Sequence, residues 1–310
     1  MDPLSDILSL LKPRSYLTAG FDAGGAWAVR FADQAGQIKC YGVISGGCML
    51  SVEGIEQAVR LAAGDCFVLP TGRSFTLGSD TAITPVDASE VFAQPRQNGV
   101  IVHNGGGDLF LLGSRFEVDG RHSTVLLRTL PPILHLGVAA DQKALRWSIE
   151  RMQAELSESR PGSSLVAHHL AQMMLVQALR LSLSQGPGEG PGWFFALSDP
   201  QLSLAIGAIH EAPARRWTLG DLADCAGMSR SVFAERFRAK VGETPIAYLT
   251  RWRMMLAGEK LATTNLTLAQ VALAVGYDSE NAFSSAFKRV MGTAPRRYAR
   301  SETARRIATL

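Results

Sequence analysis

Residues Phe233–Tyr248 read FAERFRAKVGETPIAY, and Phe283–Tyr298 read FSSAFKRVMGTAPRRY. A shift of 50 lays Phe233, Phe237, Gly242, Pro245 and Tyr248 on Phe283, Phe287, Gly292, Pro295 and Tyr298. Further upstream, at a shift of 49, Thr218, Leu219, Ala223 and Gly227 fall on Thr267, Leu268, Ala272 and Gly276, with Leu222 facing Val271. A period of this size marks a supersecondary unit used more than once, and two copies are too few for a solenoid.

Each copy is expected to hold two short helices around a tight turn. In the first, Thr218 caps a helix with Asp221 as its capping-box partner, and Leu219, Leu222, Ala223 and Ala226 form the buried stripe. Gly227 supplies the left-handed residue that ends it. Ser229 caps the next helix, where Phe233 and Phe237 at i and i+4 share the inner face. Arg230, Ser231, Ala234, Glu235 and Arg238 then face outward. The second copy repeats this with Thr267, Gly276, Ser279, Phe283 and Phe287, presenting Glu280, Asn281, Ser284, Ser285 and Lys288. Such a pair is a helix-turn-helix, whose second helix enters a DNA major groove. Between the copies, Ile246–Ala262 reads as one helix of roughly 25 Å. It can hold two reading helices apart by a distance comparable with a DNA turn of about 34 Å.

Charge is distributed in the same sense. From Ser198 to the end there are 16 Lys and Arg against 10 Asp and Glu, whereas the preceding residues hold 15 against 18. The basic end suits a phosphate partner. Arg230, Arg238, Lys240, Lys288, Arg289 and the cluster Arg296, Arg297 and Arg300 are the candidate phosphate contacts. The whole chain has 310 residues, 46% hydrophobic and 19% charged, which suggests about two globular domains and no membrane span. The opening MDPLSDILSLLKPRS carries aspartates where a signal peptide needs positive charge, so a cytoplasmic location is expected. Cys40, Cys48, Cys66 and Cys225 have no metal-ligand spacing and read as reduced thiols.

With both units and the ending GYDSENAFSSAFKRVMGTAPRRYAR, the last hundred or so residues resemble the DNA-binding domain of the AraC/XylS family of bacterial transcription regulators. That resemblance implies base-reading positions at Ser231, Ala234 and Glu235 and at Glu280, Asn281 and Ser285. It also implies promoter DNA as partner, with RNA polymerase recruited or blocked there. These residue types depart from those common in the family, so no operator sequence carries over.

In the front half, Leu61–Phe75 (LAAGDCFVLPTGRSF) spaces Gly64, Pro70, Gly72 and Phe75 in a way that resembles the second motif of the cupin barrel. A histidine metal ligand is usual where Phe75 stands. Aligning IKCYGVIS and CMLSVEG as a hairpin joined at Gly46 and Gly47 puts Asp33, Ala35 and Lys39 at the remaining ligand positions. A cupin-like barrel without metal, cofactor or catalytic residues is the expectation. Barrels of this kind enclose small ligands, and Trp27, Lys39 and Phe75 are the candidate pocket residues for an unidentified effector. His103, His122 and His135 read as ordinary hydrogen-bonded or surface histidines, and the His168–His169 doublet as structural.

Two helices follow, 141–159 and 163–184. Leu145, Ile149, Met152 and Leu156 form a narrow seam on the first, and the second is apolar nearly all round, hence expected to be largely buried. The pair either packs on the barrel or forms a homodimer interface, which the resemblance favours. The expected organisation is therefore α+β. A cupin-like sensing domain occupies 1–140, a helical dimerisation segment 141–185, a flexible Gly/Pro linker 186–197, and an all-α double helix-turn-helix domain 198–304, with Trp193, Phe194 and Phe195 expected to dock where the linker meets that last domain. A regulator responding to a small molecule is the leading reading. The same regulator sensing oxidants through two of Cys40, Cys48 and Cys66 is the alternative. A cupin enzyme fused to a DNA-binding domain ranks last, for want of metal ligands.

Overall fold

The computed structural model describes residues 2–32, 34–96, 99–118, 126–127, 130–137, 143–158, 160–184 and 192–308. They form two compact units: Pro13–Asp119 with Leu130–Gln185, and Met1–Lys12 with Gly120–Thr129 and Gly186–Leu310. This division differs from one placed at residues 140 and 186. The first twelve residues join the carboxy-terminal unit, and the helices expected as a separate segment join the barrel.

In the first unit one ten-stranded sheet curls around an apolar core. Its strands are β1 (Arg14–Ala23), β2 (Ala28–Phe31), β3 (Gln37–Val52), β4 (Val59–Ala62), β5 (Cys66–Leu69), β6 (Phe75–Gly78), β7 (Val86–Asp87), β8 (Val100–His103), β9 (Leu109–Glu117) and β10 (Leu134–Leu136). The main path runs β7-β2-β6-β3-β9-β1-β8, with β4 and β5 also on β3 and β10 on β5.

The hairpin expected at Gly46 and Gly47 is instead one continuous strand. β3 pairs with β9 and β5 along its first part and with β4 and β6 along its second. Gly46 sits at φ 74°, where an added Cβ would lie 1.8 Å from the Asp108 carbonyl oxygen. Only glycine permits that approach, and the strand bends there without breaking. Alternation then sorts the two faces. Tyr41, Val43, Phe67 and Leu111 face the core, whereas Cys40, Gly42, Cys66 and Ser114 lie on the opposite face. A short helix, α2 (Ala88–Phe92), packs against the inner cluster.

Helices α3 (Lys143–Glu158) and α4 (Ser163–Ser184) pack together and on that opposite face. The seam residues Leu145, Ile149 and Met152 are buried, with Ile149 seated over Gly42. The side chain of Leu156, the seam's last member, lies outside the described residues. On α4 a single stripe is buried, Ala167, Leu170, Ala171, Met174, Leu175, Ala178 and Leu179. The expectation of near-complete burial is corrected here, because Leu165 is 62% exposed and Trp147 on α3 is 54% exposed. Both open alternatives gain content from this: one face of the pair covers the sheet, and another keeps apolar groups at the surface.

The second unit is helical: α1 (Pro3–Leu11), α5 (Trp193–Leu197), α6 (Pro200–Glu211), α7 (Leu219–Cys225), α8 (Arg230–Val241), α9 (Pro245–Thr263), α10 (Leu268–Ala274), α11 (Glu280–Met291) and α12 (Pro295–Ala308). Residues 192–197 end the stretch expected as linker, and Trp193, Phe194 and Phe195 dock on the helical unit as expected. Trp193 and Phe194 are 2% exposed, the Gly192 N–H donates to the Lys240 carbonyl at 2.8 Å, and the Trp193 indole donates to the Leu126 carbonyl at 3.3 Å. The three consecutive aromatics have enough apolar area to dock, and that outweighs the loop-forming composition before them. Helix α1 is held by an unforeseen contact, in which buried His210 on α6 bonds the Asp6 carboxylate at 3.1 Å and the Tyr248 hydroxyl at 2.8 Å. Burial pushes the His210 imidazole down to about 3, so the ring is neutral and the contact with Asp6 is a hydrogen bond, not an ion pair.

Candidate nucleic-acid interface and barrel cavity

The two helix-turn-helix units follow their sequence signals closely. Thr218 and Asp221 form the expected capping box on α7, and Thr267 forms one with Gln270 on α10. Gly227 at φ 63° and Gly276 at φ 82° make the turns. At Gly276 the need is steric as well, since a Cβ would come within 2.4 Å of the Ala214 carbonyl oxygen. Ser229 and Ser279 cap α8 and α11.

Beneath each reading helix the aromatic pair is fully enclosed: Phe233, Phe237, Phe283 and Phe287 are all 0% exposed. Their rings meet at centroid distances of 5.5 Å in the first copy and 5.6 Å in the second. This anchoring fixes the helix rotation, and hence which side chains point outward. Ser231 and Glu235 on α8 and Glu280, Asn281 and Ser285 on α11 are exposed, while Ala234 is half-buried. Of the candidate phosphate contacts, Arg230, Arg238, Lys288, Arg289, Arg296, Arg297 and Arg300 are exposed and Lys240 is half-buried.

Several neighbours escaped the sequence reading. Val232, 53% exposed on the first turn of α8, looked like a core residue by type. Arg216 pairs with Asp278, just ahead of α11, across 62 residues of sequence. Arg296 lies 3.8 Å from Glu280 and offsets the acidic charge at the start of the second reading helix. Arg236 is turned away from the reading face, donating to Asp199 through Nε at 2.9 Å and a terminal nitrogen at 2.6 Å. No local spacing signals these pairings, because each joins separate elements.

The described β unit carries an open-mouthed cavity of about 240 Å³ on the inner face of the curled sheet. Aromatic walls come from Phe21, Phe31, Tyr41 and Phe92, with Ala88 and Ser89 of α2 alongside. Of the three pocket residues expected, Lys39 lines it. Phe75 stands one layer behind, stacked on Phe31 at 4.4 Å, and Trp27 packs edge-on against Phe21 at 5.3 Å. Those two are core residues, which corrects their assignment. Strand register places Arg115 directly opposite Lys39 and Gly113 opposite Tyr41. Gly113 leaves room for the Tyr41 ring, which would lie 2.5 Å from an added Cβ. Lys39 is only 9% exposed, and burial together with the Arg115 charge pulls its ammonium down to about 8.

At the expected ligand positions for a metal, Ala35 is an exposed turn residue, Phe75 is packed apolar core, and Asp33 lies outside the described residues. Among the described residues no group of three or more His, Cys, Asp or Glu is placed to hold a metal. His135 bonds Asp65 at 3.0 Å and His103 stacks on Phe21, while His122 lies outside the described residues. With a phenyl ring and a methyl group at two ligand positions, purified protein is expected to carry no stoichiometric iron, zinc or manganese. Elemental analysis finding one tightly held metal per chain would contradict this. The Cys40 thiol hydrogen-bonds Cys66, and this contact and burial both hold it well above the usual thiol range. Cys48 is pushed up to about 12 by burial.

Among the described residues no helix is long and apolar enough to cross a membrane. The cupin family profile matches residues 2–184, and the profile described as a helix-turn-helix domain matches residues 222–301. An AraC-like transcription regulator of Streptomyces lividans is 46% identical over 98% of this chain and 99% of its own length. The HTH-type transcriptional regulator AlkR of Acinetobacter baylyi is 31% identical over 88% of this chain and 91% of its own. Among solved structures, the DNA-binding domain of AdpA in complex with a target DNA is 30% identical, covering 33% of this chain and 92% of that one with a TM-score of 0.32. A double helix-turn-helix frame, a cupin-type unit and relatives alike over nearly their whole length converge: the chain belongs to the AraC-like transcription regulators, which are DNA-binding proteins.

Proposed function

We infer that both reading helices enter successive major grooves of promoter DNA and that a small molecule in the barrel cavity controls this binding. The observation that carries the reading is the pair of fully buried Phe anchors, which aim two polar helix faces outward from one continuous helix. That helix, α9, has 19 residues and so spans about 28 Å. Ser231, Ala234, Glu235, Glu280, Asn281 and Ser285 are the assigned base readers. Arg230, Arg238, Lys240, Lys288, Arg289, Arg296, Arg297 and Arg300 set register on phosphates. RNA polymerase is the partner whose access the bound regulator changes.

Asn281 and Lys288 separate reading from clamping. Asn281 is exposed in the first turn of α11, where its amide can pair bidentately with adenine N6 and N7, worth about 1–3 kcal/mol of discrimination. Lys288 lies two turns on, better placed for phosphate. In titrations of the full chain against operator, single-base variants and random DNA, Asn281→Ala is expected to relax preference at one base pair and spare nonspecific affinity. Lys288→Ala is expected to weaken all sequences alike and flatten the salt slope by about one unit. Identical profiles for the two variants would refute the division of roles.

The aromatic-walled cavity supports small-molecule control over oxidant sensing. Cys40 and Cys66 touch, but both are fully buried and Cys40 is held as a thiol, whereas sensor cysteines need thiolate character and access. Exposed Trp147 and Leu165 on the helical pair favour a homodimer through residues 141–184. Sedimentation showing a monomer at micromolar concentration would remove that assignment.

A further inference from the structure

Lys39 and Arg115 occupy directly opposed positions on β3 and β9, and both line the cavity. Like charges facing each other across an antiparallel pair are destabilising. Here one of them is also nearly removed from water, with Lys39 at 9% exposure and its Nζ 5.9 Å above the Phe31 ring. Among the described residues, the one carboxylate paired with either is Glu117, 3.3 Å from Arg115. Two cations less one carboxylate leave, among the described residues, a single uncompensated positive charge at this end of the cavity. A donor at the cavity lining, Arg115 Nε, is also buried without a hydrogen-bond partner among the described residues. Buried polar groups are normally satisfied, so this set is incomplete as it stands.

We propose that the cavity binds a compact organic monoanion, with its carboxylate between Lys39 and Arg115 and an apolar, ring-sized body among Phe21, Phe31, Tyr41 and Phe92. The carboxylate supplies the charge that the opposed cations lack and accepts from Arg115 Nε. A carboxylic ligand in place of inorganic phosphate follows from the walls: beyond the cationic end the lining is mainly aromatic, and a small hydrated dianion would leave it empty. The space suffices, since about 150 Å³ of apolar cavity already takes a benzene ring and this one has about 240 Å³. This site assignment rests on the reading of the barrel as a small-molecule sensor.

The test is calorimetric titration of the full chain with benzoate and 2-naphthoate, their neutral amides, and inorganic phosphate, together with promoter affinity at saturating probe. At least one carboxylate is expected to bind tenfold or more tighter than its amide and than phosphate. Lys39→Met and Arg115→Met should each cost carboxylate binding tenfold or more and leave the amide unchanged. Lys39→Met should also raise the melting temperature of the unliganded chain by removing the opposed charge. Amides binding as tightly as carboxylates, phosphate binding as tightly as either, variants that retain full carboxylate affinity, or no binding by any probe would each overturn the proposal. Carboxylate binding that depends on Lys39 yet leaves promoter affinity unchanged would remove the sensor reading and keep the site. A probe that changes promoter affinity undiminished in both variants would remove the site and keep the sensor.

Discussion

Phe283→Ala is expected to cost the carboxy-terminal unit about 3–5 kcal/mol, the usual range for truncating a fully enclosed phenyl ring. Phe283 is 0% exposed and packs against Phe287 at 5.6 Å and Tyr277 at 6.0 Å, within a cluster that includes Met254, Val271, Val275 and Tyr298. These neighbours come from α9, α10, α11, α12 and the turn between α10 and α11, so no single side chain can swing in to fill the space. A domain is stable by only about 5–15 kcal/mol in all, so the loss is a large share of the total. Operator binding should fall with it, because α11 loses the anchor that sets its rotation. Urea unfolding and operator titration at one temperature give both numbers. A cost under 1 kcal/mol with full operator affinity would show that the aromatic pair does not hold the second reading helix. Asn281→Ala, on the opposite face of the same helix, should leave stability unchanged and serves as the comparison.

The second large effect is expected at Asp199, which performs two tasks. One oxygen accepts the backbone N–H groups of Gln201 and Leu202 at 3.1 and 3.2 Å and so caps α6; the other accepts both Arg236 contacts from α8. The residue is 6% exposed. Losing the cap costs about 1 kcal/mol, and losing a charge-assisted bond about 1.5–3 kcal/mol. Because Arg236 is 42% exposed and can rehydrate, the sum for Asp199→Ala should come to about 2–3 kcal/mol and not more. Asp199→Asn keeps a good cap and loses the ion pair, so it should fall between the alanine variant and the wild type.

The pH dependence follows from the same contacts. Burial pushes the Asp199 carboxyl up, but the Leu202 N–H, the Arg236 side chain and the Gln201 N–H outweigh it and hold the group below its ordinary value. A carboxyl depressed in the folded state binds its proton more readily when unfolded. Its stabilisation is therefore complete above the unfolded value of about 3.9 and is lost as pH falls through the lower, folded one. The gap between wild type and Asp199→Ala should be constant from neutral pH down to about 4 and close below that. An undiminished gap deep in acid would show that the carboxylate charge is not what Asp199 contributes.

The legible parts of this molecule share a physical property. Each helix-turn-helix depends on contacts within about twenty-five residues: a cap and its box partner three apart, a glycine in left-handed geometry, and two phenylalanines one turn apart. Local geometry of that kind is written directly in residue type and spacing, and the repeat prints it twice. The strand-rich half was legible only as a class. A glycine pair within an apolar run fits a hairpin and fits equally a long strand that changes partners. The Asp108 carbonyl pressed against Gly46, from a residue sixty-two positions away, decides between them.

The barrel site shows where spacing stops being informative. Lys39 could be singled out by aligning its segment on a cupin ligand position, whereas Arg115 carries no mark in sequence. It becomes its partner only through the register of β3 on β9. Trp27 and Phe75 have the right residue types for a pocket, yet packing turned them toward other rings. Trp193–Phe195 follow a Gly/Pro stretch that reads as linker; three adjacent aromatics announced their docking on the helical unit, and tertiary structure supplied the partners, the Leu126 carbonyl for the Trp193 indole among them. Sequence by itself determined the family, the two reading helices and their outward residues, because these follow from local spacing and periodic burial. Tertiary structure alone decided the cation pair, the course of β3, the placement of the first twelve residues and the turning of Arg236 onto Asp199, because each is a contact between segments far apart in the chain.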